Sequence, residues 1–286
     1  MPSLIDIRRR VRSVSNTQQI TKAMKMISAA KLRRAQDRAL GARPYGAMLR
    51  QILENVAEAA TQNPDVAAHP LLAVRPEKRV LVVVVTADRG LAGGFNSNLI
   101  RLAQHFVNRN QDKDLSFELV GRKGRDYFRR RTRKIGGEYI DLFRDLTFEK
   151  TWAISDSIIE RFSKEEIDAV YLFVNEFKNV VAPNVTSMRM LPVELPKTTE
   201  HIDYIYEQPP EELLASLLPW YVRAWLFRAL VESAAAEHAA RMTAMDAATN
   251  NAGEMIDNLT RYMNRVRQAS ITREIIEIVS GAAALE

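Results

Sequence analysis

The sequence predicts an α/β protein with one long helix at each end of the chain, paired antiparallel with each other, and an α/β domain between them. The helix-breaking residues gather in the middle of the chain, since no proline follows Pro219 and no glycine precedes Gly41. Apolar residues recur at coiled-coil spacing near both ends. The apolar run from Val80 to Val85 is typical of a strand that is buried on both faces of a mostly parallel sheet.

The first long helix is predicted over residues 1–60. Ser3 can cap its first free N–H groups, and Asp6, three residues later, resembles the acidic half of a capping box. Pro44 removes one hydrogen bond of the helix and can kink it, so a disturbance is expected near residues 41–44. An apolar seam runs along the helix and changes phase once, at Leu4, Ile7, Val11 and Val14, then Ile20, Met24 and Ile27.

The middle segment, residues 77–195, is predicted to be a Rossmann-like α/β domain because strand patterns alternate with helix patterns. A glycine-containing loop, Asp88 to Asn96, follows the first strand and leads into a helix that ends near Asn108. Further strands are predicted at 117–120 and 169–175, with a helix at 148–162. Residues 63–76 and 183–219 are predicted to be irregular connections.

The last long helix is predicted within residues 211–286, and the two terminal helices carry opposite net charge. Twelve basic and four acidic residues through Ala60 give +8, whereas seven arginines and ten carboxylates from Glu211 onward give −3. This complementarity favours the pairing, although each exposed ion pair contributes only about 0–1 kcal/mol. The last helix also carries an apolar seam near its end, which changes phase once, at Ile256, Leu259, Met263 and Val266, then Ile271, Ile275 and Ile278.

Several classes of site are excluded by composition. The chain has no cysteine, which excludes disulfides, thiolate metal sites, iron–sulfur clusters and a cysteine nucleophile. Its four histidines lack metal-ligand spacing, and we predict no cofactor, no metal and no catalytic residue. No apolar run approaches the roughly 20 residues that span a bilayer, and no signal peptide is recognised, so a soluble intracellular protein is expected.

Two segments leave alternatives open. Gly90-x-x-Gly93-Gly94 stands where a phosphate-binding loop would stand, but it lacks the lysine and hydroxyl of such loops, which favours a tight turn over nucleotide binding.

Residues 121–134 form a basic cluster that contains Tyr127 and Phe128. The cluster is either a nucleic-acid footprint or, as we favour, an amphipathic helix whose two aromatic residues face the sheet.

Seven blocks of the sequence match one known family, in the order of that family. The blocks are Asn16–Met26, Ala30–Ala35, Asp88–Asn96, Gly121–Gly124, Glu237–Ala252, Arg267–Ile275 and Gly281–Leu285. In these blocks the sequence resembles the gamma subunit of the F-type ATP synthase, of bacterial type. The resemblance implies a left-handed antiparallel coiled coil inserted into a ring of alpha and beta subunits, with the α/β domain bound to the epsilon subunit and seated on the c-ring. It further implies a rotor shaft without catalytic activity of its own, peripheral on the cytoplasmic side of the plasma membrane, that couples ion-driven rotation to ATP synthesis and hydrolysis.

The resemblance also implies roles for single residues. Gln268, Thr272 and Glu274 match residues that hydrogen-bond to a loop of a catalytic beta subunit, with the amide and the carboxylate expected on one helix face. Met24 and Arg241 match shaft positions that face the moving beta lever. The tip from Ile275 to Leu285 lacks basic charge and suits an apolar bearing. Contacts with the c-ring or epsilon are expected from the basic cluster, at Arg122, Lys123, Arg125 and Arg129.

Two rival functions remain at this stage. A coiled-coil nucleic-acid-binding protein would use the +8 helix and the basic cluster on phosphates, with strong salt dependence. A stand-alone nucleotide-binding enzyme would bind ATP as the isolated chain. Assembly with alpha and beta subunits would distinguish the rotor from both.

Overall fold

The computed structural model describes residues 3–60, 69–131, 134–177, 184–194 and 207–283. This part of the chain divides into two compact units. One consists of the residues up to Ser28 and from Met242 onward, and the other runs from Ala29 to Arg241.

The terminal helices are α1, Leu4–Ala60, and α5, Pro210–Ala283. The predicted capping box at the start of α1 is confirmed, because the Ser3 hydroxyl accepts a hydrogen bond from the Asp6 N–H (3.2 Å) and the Asp6 carboxylate accepts from the Ser3 N–H (3.3 Å). Hydrogen bonds to the Asp6 carboxylate from the Ser3 hydroxyl (2.8 Å) and from the Ser3 N–H hold the pKa of Asp6 below its ordinary value. Helix α1 continues through Pro44 as one helix.

Five strands in the described residues form one sheet. The strands are β1 Arg79–Val85, β2 Asp114–Val120, β3 Ile135–Tyr139, β4 Ala169–Glu176 and β5 Asn184–Leu191. Their spatial order is β3-β2-β1-β4-β5. Strand β1 is parallel to β2 and β4, β2 is parallel to β3, and β5 is antiparallel to β4. The helices between them are α2 Phe95–Arg109, α3 Arg122–Phe128 and α4 Phe148–Ser163.

Strand β1 lies at the centre of the sheet, as its sequence predicts. Its residues from Val80 to Val85 are all fully buried. On one face Val80, Val82 and Val84 belong to a core that includes Leu99 of α2. On the other face the alternate residues join a core that contains residues of α4 and of the parts of α1 and α5 in the same unit. A continuous apolar run is required here because both faces are covered.

The prediction that residues 183–219 are irregular is wrong at both ends. Residues Asn184–Leu191 form β5, and α5 already begins at Pro210. Only Met190 and Leu191 of β5 are buried, so this edge strand has no clear apolar alternation, and its pairing with β4 decides its structure. A proline at the first position of a helix is well tolerated, since its missing N–H would have no partner inside the helix.

Strand β3 was also missed by the sequence analysis. Its five residues include Gly136 and Gly137, which have low strand propensity, and none of the five is fully buried.

Among the described residues, no helix is long and apolar enough to cross a membrane.

Candidate interaction surfaces

The C-terminal end of α5 exposes large apolar side chains. Exposed aliphatic side chains are a common mark of an interaction surface when they are contiguous. Residues 271–280 are all exposed, and five aliphatic side chains among them are 49 to 72% exposed, at Ile271, Ile275, Ile276, Ile278 and Val279. Residues 284 and 285 of the predicted bearing lie outside the described residues, as do the side chains of 281–283.

Gln268, Thr272 and Glu274 are all exposed on the same part of α5. The Thr272 hydroxyl donates to the Gln268 carbonyl oxygen (2.9 Å), and the Ser270 hydroxyl donates to the Glu274 carboxylate (3.3 Å). At about 100° of rotation per residue, Glu274 points about 120° away from Gln268. The expectation that the amide and the carboxylate share one face is therefore wrong, because six residues are not a whole number of helical turns. Gln268 and Thr272 share a face, and Glu274 lies on another.

Antiparallel pairing of α1 and α5 is confirmed within the unit of residues up to Ser28 and from Met242. The Gln18 side chain donates to the Thr249 carbonyl oxygen (3.4 Å), and Lys25 forms an ion pair with Asp246 (2.5 Å). Residue numbers therefore increase along α1 while those of the contacting residues on α5 decrease, which means that the two helices run antiparallel. Met24 is half-buried beside Lys25. The Lys25–Asp246 pair is an example of the charge complementarity expected between the basic and the acidic helix.

The basic cluster begins with α3, where most of the predicted contact residues already have carboxylate neighbours. Arg122 pairs with Asp141 (3.3 Å), Arg125 with Asp126 (2.7 Å), and Arg129 lies 4.0 Å from Glu138. Arg122, Lys123 and Arg129 are exposed, while Arg125 is half-buried. Their assignment to a c-ring or epsilon contact stays a prediction.

The aromatic residues of the cluster support the amphipathic-helix alternative. Phe128 is buried and its ring stacks on Phe117 of β2, with centroids 5.2 Å apart. Tyr127 packs against the same core, and the Arg131 guanidinium lies 3.9 Å from the centre of its ring. A base could not stack on Phe128 in this arrangement, because the sheet already covers that ring.

The glycine loop, residues 88–94, is a tight turn that packs against the protein itself. Leu91 and Gly93 adopt positive φ angles of 61° and 54°. Ala92 is buried in a small core with Phe95 and with Ala236 of α5. At the start of α2, the Asn96 side chain accepts a hydrogen bond from the Ala87 N–H (2.9 Å). These contacts favour a tight turn over a phosphate site, as the letters of the loop predict.

Arg241 lies beside this loop, and sequence reasoning missed its partner. Its guanidinium pairs with Glu237 (2.6 Å) and donates to the Gly90 carbonyl oxygen (3.4 Å). Arg241 is 9% exposed and Glu237 6%. Burial raises the pKa of Glu237, and the Arg241 charge opposes that rise. The i, i+4 spacing of Glu237 and Arg241 was the feature of the sequence from which this ion pair could have been predicted. The contact of Arg241 with a beta subunit stays a prediction.

His238 follows Glu237 and is held neutral. Burial, with the nearby charges of Arg241 and Lys31, lowers the pKa of His238 to about 4. Within the described residues no group of three or more His, Cys, Asp or Glu side chains lies close enough to hold a metal ion.

Comparison with known proteins gives consistent matches along the whole chain. A family model described as ATP synthase matches residues 3–285. The chain is 62% identical over 286 residues to the ATP synthase gamma chain of Solibacter usitatus (strain Ellin6076), with all of both chains covered. It is 50% identical over 291 residues to the ATP synthase gamma chain of Anaeromyxobacter sp. (strain Fw109-5), again over the full length of both.

Solved structures of mitochondrial ATP synthases share the fold. A chain of the Euglena gracilis OSCP/F1/c-ring structure in rotational state 3 matches with a TM-score of 0.67 and 16% identity, over 99% of this chain and 94% of that one. A chain of the Tetrahymena thermophila central stalk and c-ring matches with a TM-score of 0.62 and 24% identity, over 80% of this chain and 99% of that one. At these identities the likeness concerns the fold alone.

Proposed function

The chain belongs to the ATP synthase gamma chain family, and on this premise we propose that it is the central rotor shaft of a bacterial F-type ATP synthase. Ion-driven rotation of a membrane c-ring turns the shaft, and the shaft drives catalytic beta subunits through their conformational states. The observation that carries the proposal is the 62% identity to a gamma chain over the full length of both proteins. Nothing in the comparisons favours the nucleic-acid alternative.

The shaft itself needs no catalytic residue under this proposal. The reaction, ADP and phosphate to ATP, takes place on the beta subunits, and this chain transmits torque. The exposed aliphatic residues at the end of α5 suit a position inside a ring of alpha and beta subunits. An apolar surface forms no directional hydrogen bond that would hold the shaft at one rotation angle. We propose that residues 1–60 and 211–286 supply the coiled coil and residues 77–195 the central domain.

Contacts with a beta subunit are assigned to Gln268, Thr272 and Glu274, together with Met24 and Arg241. A rotating shaft needs contacts that differ from one angle to the next, since a partner responds only to a difference in interaction free energy between states. Because Glu274 points away from Gln268 and Thr272, the amide and the carboxylate would meet one subunit at different angles. Hydrogen bonds to the carboxylate are charge-assisted and roughly twice as strong as neutral ones.

The base of the shaft is assigned to the central domain. Arg122, Lys123, Arg125 and Arg129 are proposed to contact the polar loops of the c-ring or the epsilon subunit. Their partial neutralisation by Asp141, Asp126 and Glu138 limits the free positive charge, which fits a protein contact better than a phosphate backbone. The complex would hold the chain at the cytoplasmic side of the bacterial plasma membrane.

Co-expression with alpha and beta subunits, followed by size-exclusion chromatography, tests the function directly. We expect a stable complex with one copy of this chain per ring and an ATPase activity that depends on it. If the chain elutes alone, the rotor proposal fails. Salt-sensitive duplex binding that resists competitor polyanion would instead support the nucleic-acid alternative.

Replacing Glu274 with alanine is expected to lower the ATPase turnover of the reconstituted complex roughly tenfold while leaving assembly intact. The loss of one charge-assisted hydrogen bond removes about 1.5–3 kcal/mol of interaction, and each 1.4 kcal/mol of differential stabilisation corresponds to about a factor of ten. Steady-state ATP hydrolysis at saturating ATP measures the effect. Glu254→Ala is the matched control and should keep parental turnover, because Glu254 is an exposed carboxylate on the same helix that lies outside the tip and points about 160° away from Glu274. Equal turnover in both variants would contradict the assignment of Glu274.

A further inference from the structure

A buried charged cluster joins α5 to the glycine loop within the unit of residues 29–241. Glu237 and Arg241 form its centre, with a separation of 2.6 Å between guanidinium and carboxylate. Lys31 of α1 and Asp88 of the loop are near enough to affect the pKa of Glu237, the first lowering and the second raising it. A buried ion pair adds little net stability compared with apolar packing, so its presence calls for a role beyond holding the fold together.

The same guanidinium is bound to the loop backbone. Arg241 donates to the Gly90 carbonyl oxygen at 3.4 Å, and Ala92 of the loop packs in one core with Ala236 and Ala240 of α5. The same nitrogen, Nη2, thus pairs with the Glu237 carboxylate and donates to the loop carbonyl. A guanidinium is suited to this double contact, because each terminal nitrogen carries two N–H donors held in a rigid plane.

The loop is fixed to α3 at its opposite end. The Asp88 carboxylate accepts a hydrogen bond from the Arg122 N–H (3.0 Å), and the Ala87 carbonyl oxygen accepts one from the Lys123 N–H (3.1 Å). A continuous series of contacts therefore leads from α3 through Asp88 and Gly90 to Arg241 on α5. Its first element carries the basic residues proposed to contact the c-ring or epsilon.

We propose that Glu237 is a positioning residue that holds Arg241 against the Gly90 carbonyl, and that this clamp carries torque from α3 through the glycine loop into α5. The proposal rests on the proposed rotor function. All members of the clamp lie in the unit of residues 29–241.

Hydrogen exchange on the isolated full-length chain tests the clamp without requiring a complex. In Glu237→Gln the amide keeps the size of the side chain but removes its charge, so Arg241 is held less firmly and the loop opens more often. We expect the amides of Arg122 and Lys123, which are bonded to this loop region, to exchange at least about fivefold faster. Glu232→Gln is the matched control, because Glu232 pairs with Arg228 (3.1 Å) on the same helix at the same spacing. Equal exchange in Glu237→Gln and Glu232→Gln would overturn the clamp.

Single-molecule rotation tests whether the clamp carries torque. The chain has no cysteine, so Gln111→Cys in the exposed turn before β2 gives one attachment point for a bead on the α/β domain. In the assembled complex, the angular variance of the bead during the catalytic dwell is inversely proportional to torsional stiffness. We expect roughly a twofold larger variance in Glu237→Gln than in the parent and in Glu232→Gln.

Arg241→Gln should also increase the variance, and adding Glu237→Gln to it should give no further increase, since the two residues form one unit. A variance equal to that of the parent would show that the clamp does not carry torque and would overturn the proposal. If not even the parent chain forms a complex, the rotor function fails, and hydrogen exchange still decides the clamp independently.

Discussion

Replacement of Gly121 by alanine is expected to destabilise the unit of residues 29–241 by at least about 4 kcal/mol, which is exceptional for a single substitution. Gly121 follows β2 with a φ of 87°, a conformation that residues with a Cβ rarely adopt. A Cβ built there would lie 2.0 Å from the Thr86 carbonyl oxygen and 2.6 Å from its carbon. Both obstacles are backbone atoms that follow the central strand β1, so no side-chain rotation can relieve the clash.

Urea unfolding followed by tryptophan fluorescence measures this loss, because all three tryptophans lie in the affected unit. Gly41→Ala is the control. Gly41 is exposed within α1 and a Cβ there would meet nothing within 4 Å, so alanine should stabilise the chain by about 0.5–1 kcal/mol. A Gly121→Ala chain with the parental unfolding midpoint would contradict the observed geometry.

Removing the guanidinium of Arg161 is expected to have the next largest effect, about 3–5 kcal/mol at neutral pH. Arg161 of α4 lies 3.2 Å from the carboxylate of Glu118, which is only 1% exposed on β2. Burial already raises the pKa of Glu118, and the Arg161 charge lowers it. The same buried site, including the Glu118 charge, raises the pKa of Tyr139 to about 12. Arg161→Ala would leave the carboxylate buried without its cationic partner.

The pH dependence of this loss follows from the direction of the Glu118 shift. A carboxyl whose folded pKa lies above its unfolded value favours folding most when it is protonated, below the unfolded value of about 4.3, and loses that contribution as the pH rises through the folded pKa. Loss of the arginine raises the folded pKa further. The free-energy difference between Arg161→Ala and the parent should therefore be smaller at pH 4.5 than at pH 7.

A second substitution provides the control for the charge. Glu118→Gln in the Arg161→Ala background removes the unpaired charge and should recover about half of the lost stability or more, since the remaining cost is that of a neutral polar group. Urea unfolding at both pH values measures this recovery. No recovery in the double variant would mean that lost packing of the arginine stem, rather than the buried charge, causes the destabilisation.

Much of the candidate interaction surface could be placed from the sequence. Gln268, Thr272 and Glu274 lie on the exposed end of α5, where the long apolar seam predicts helix. Their distribution over two faces follows from the helical repeat of about 3.6 residues, since the helix continues unbroken through them. Arg241 was assigned to a partner contact, and its bond to Gly90 is invisible in the sequence because 151 residues separate them.

The sequence by itself determined both terminal helices, the central strand β1 and the turn that follows it, because periodicity, capping and glycine placement act over a few neighbouring residues. Only the tertiary structure decided that residues 184–191 and 135–139 are strands, since edge strands are defined by the strand they pair with rather than by their own pattern. It also decided which charges are buried. Glu118 with Arg161, and Glu237 with Arg241 against Gly90, depend on packing between elements, and burial is what turns an ordinary charged residue into one that positions others.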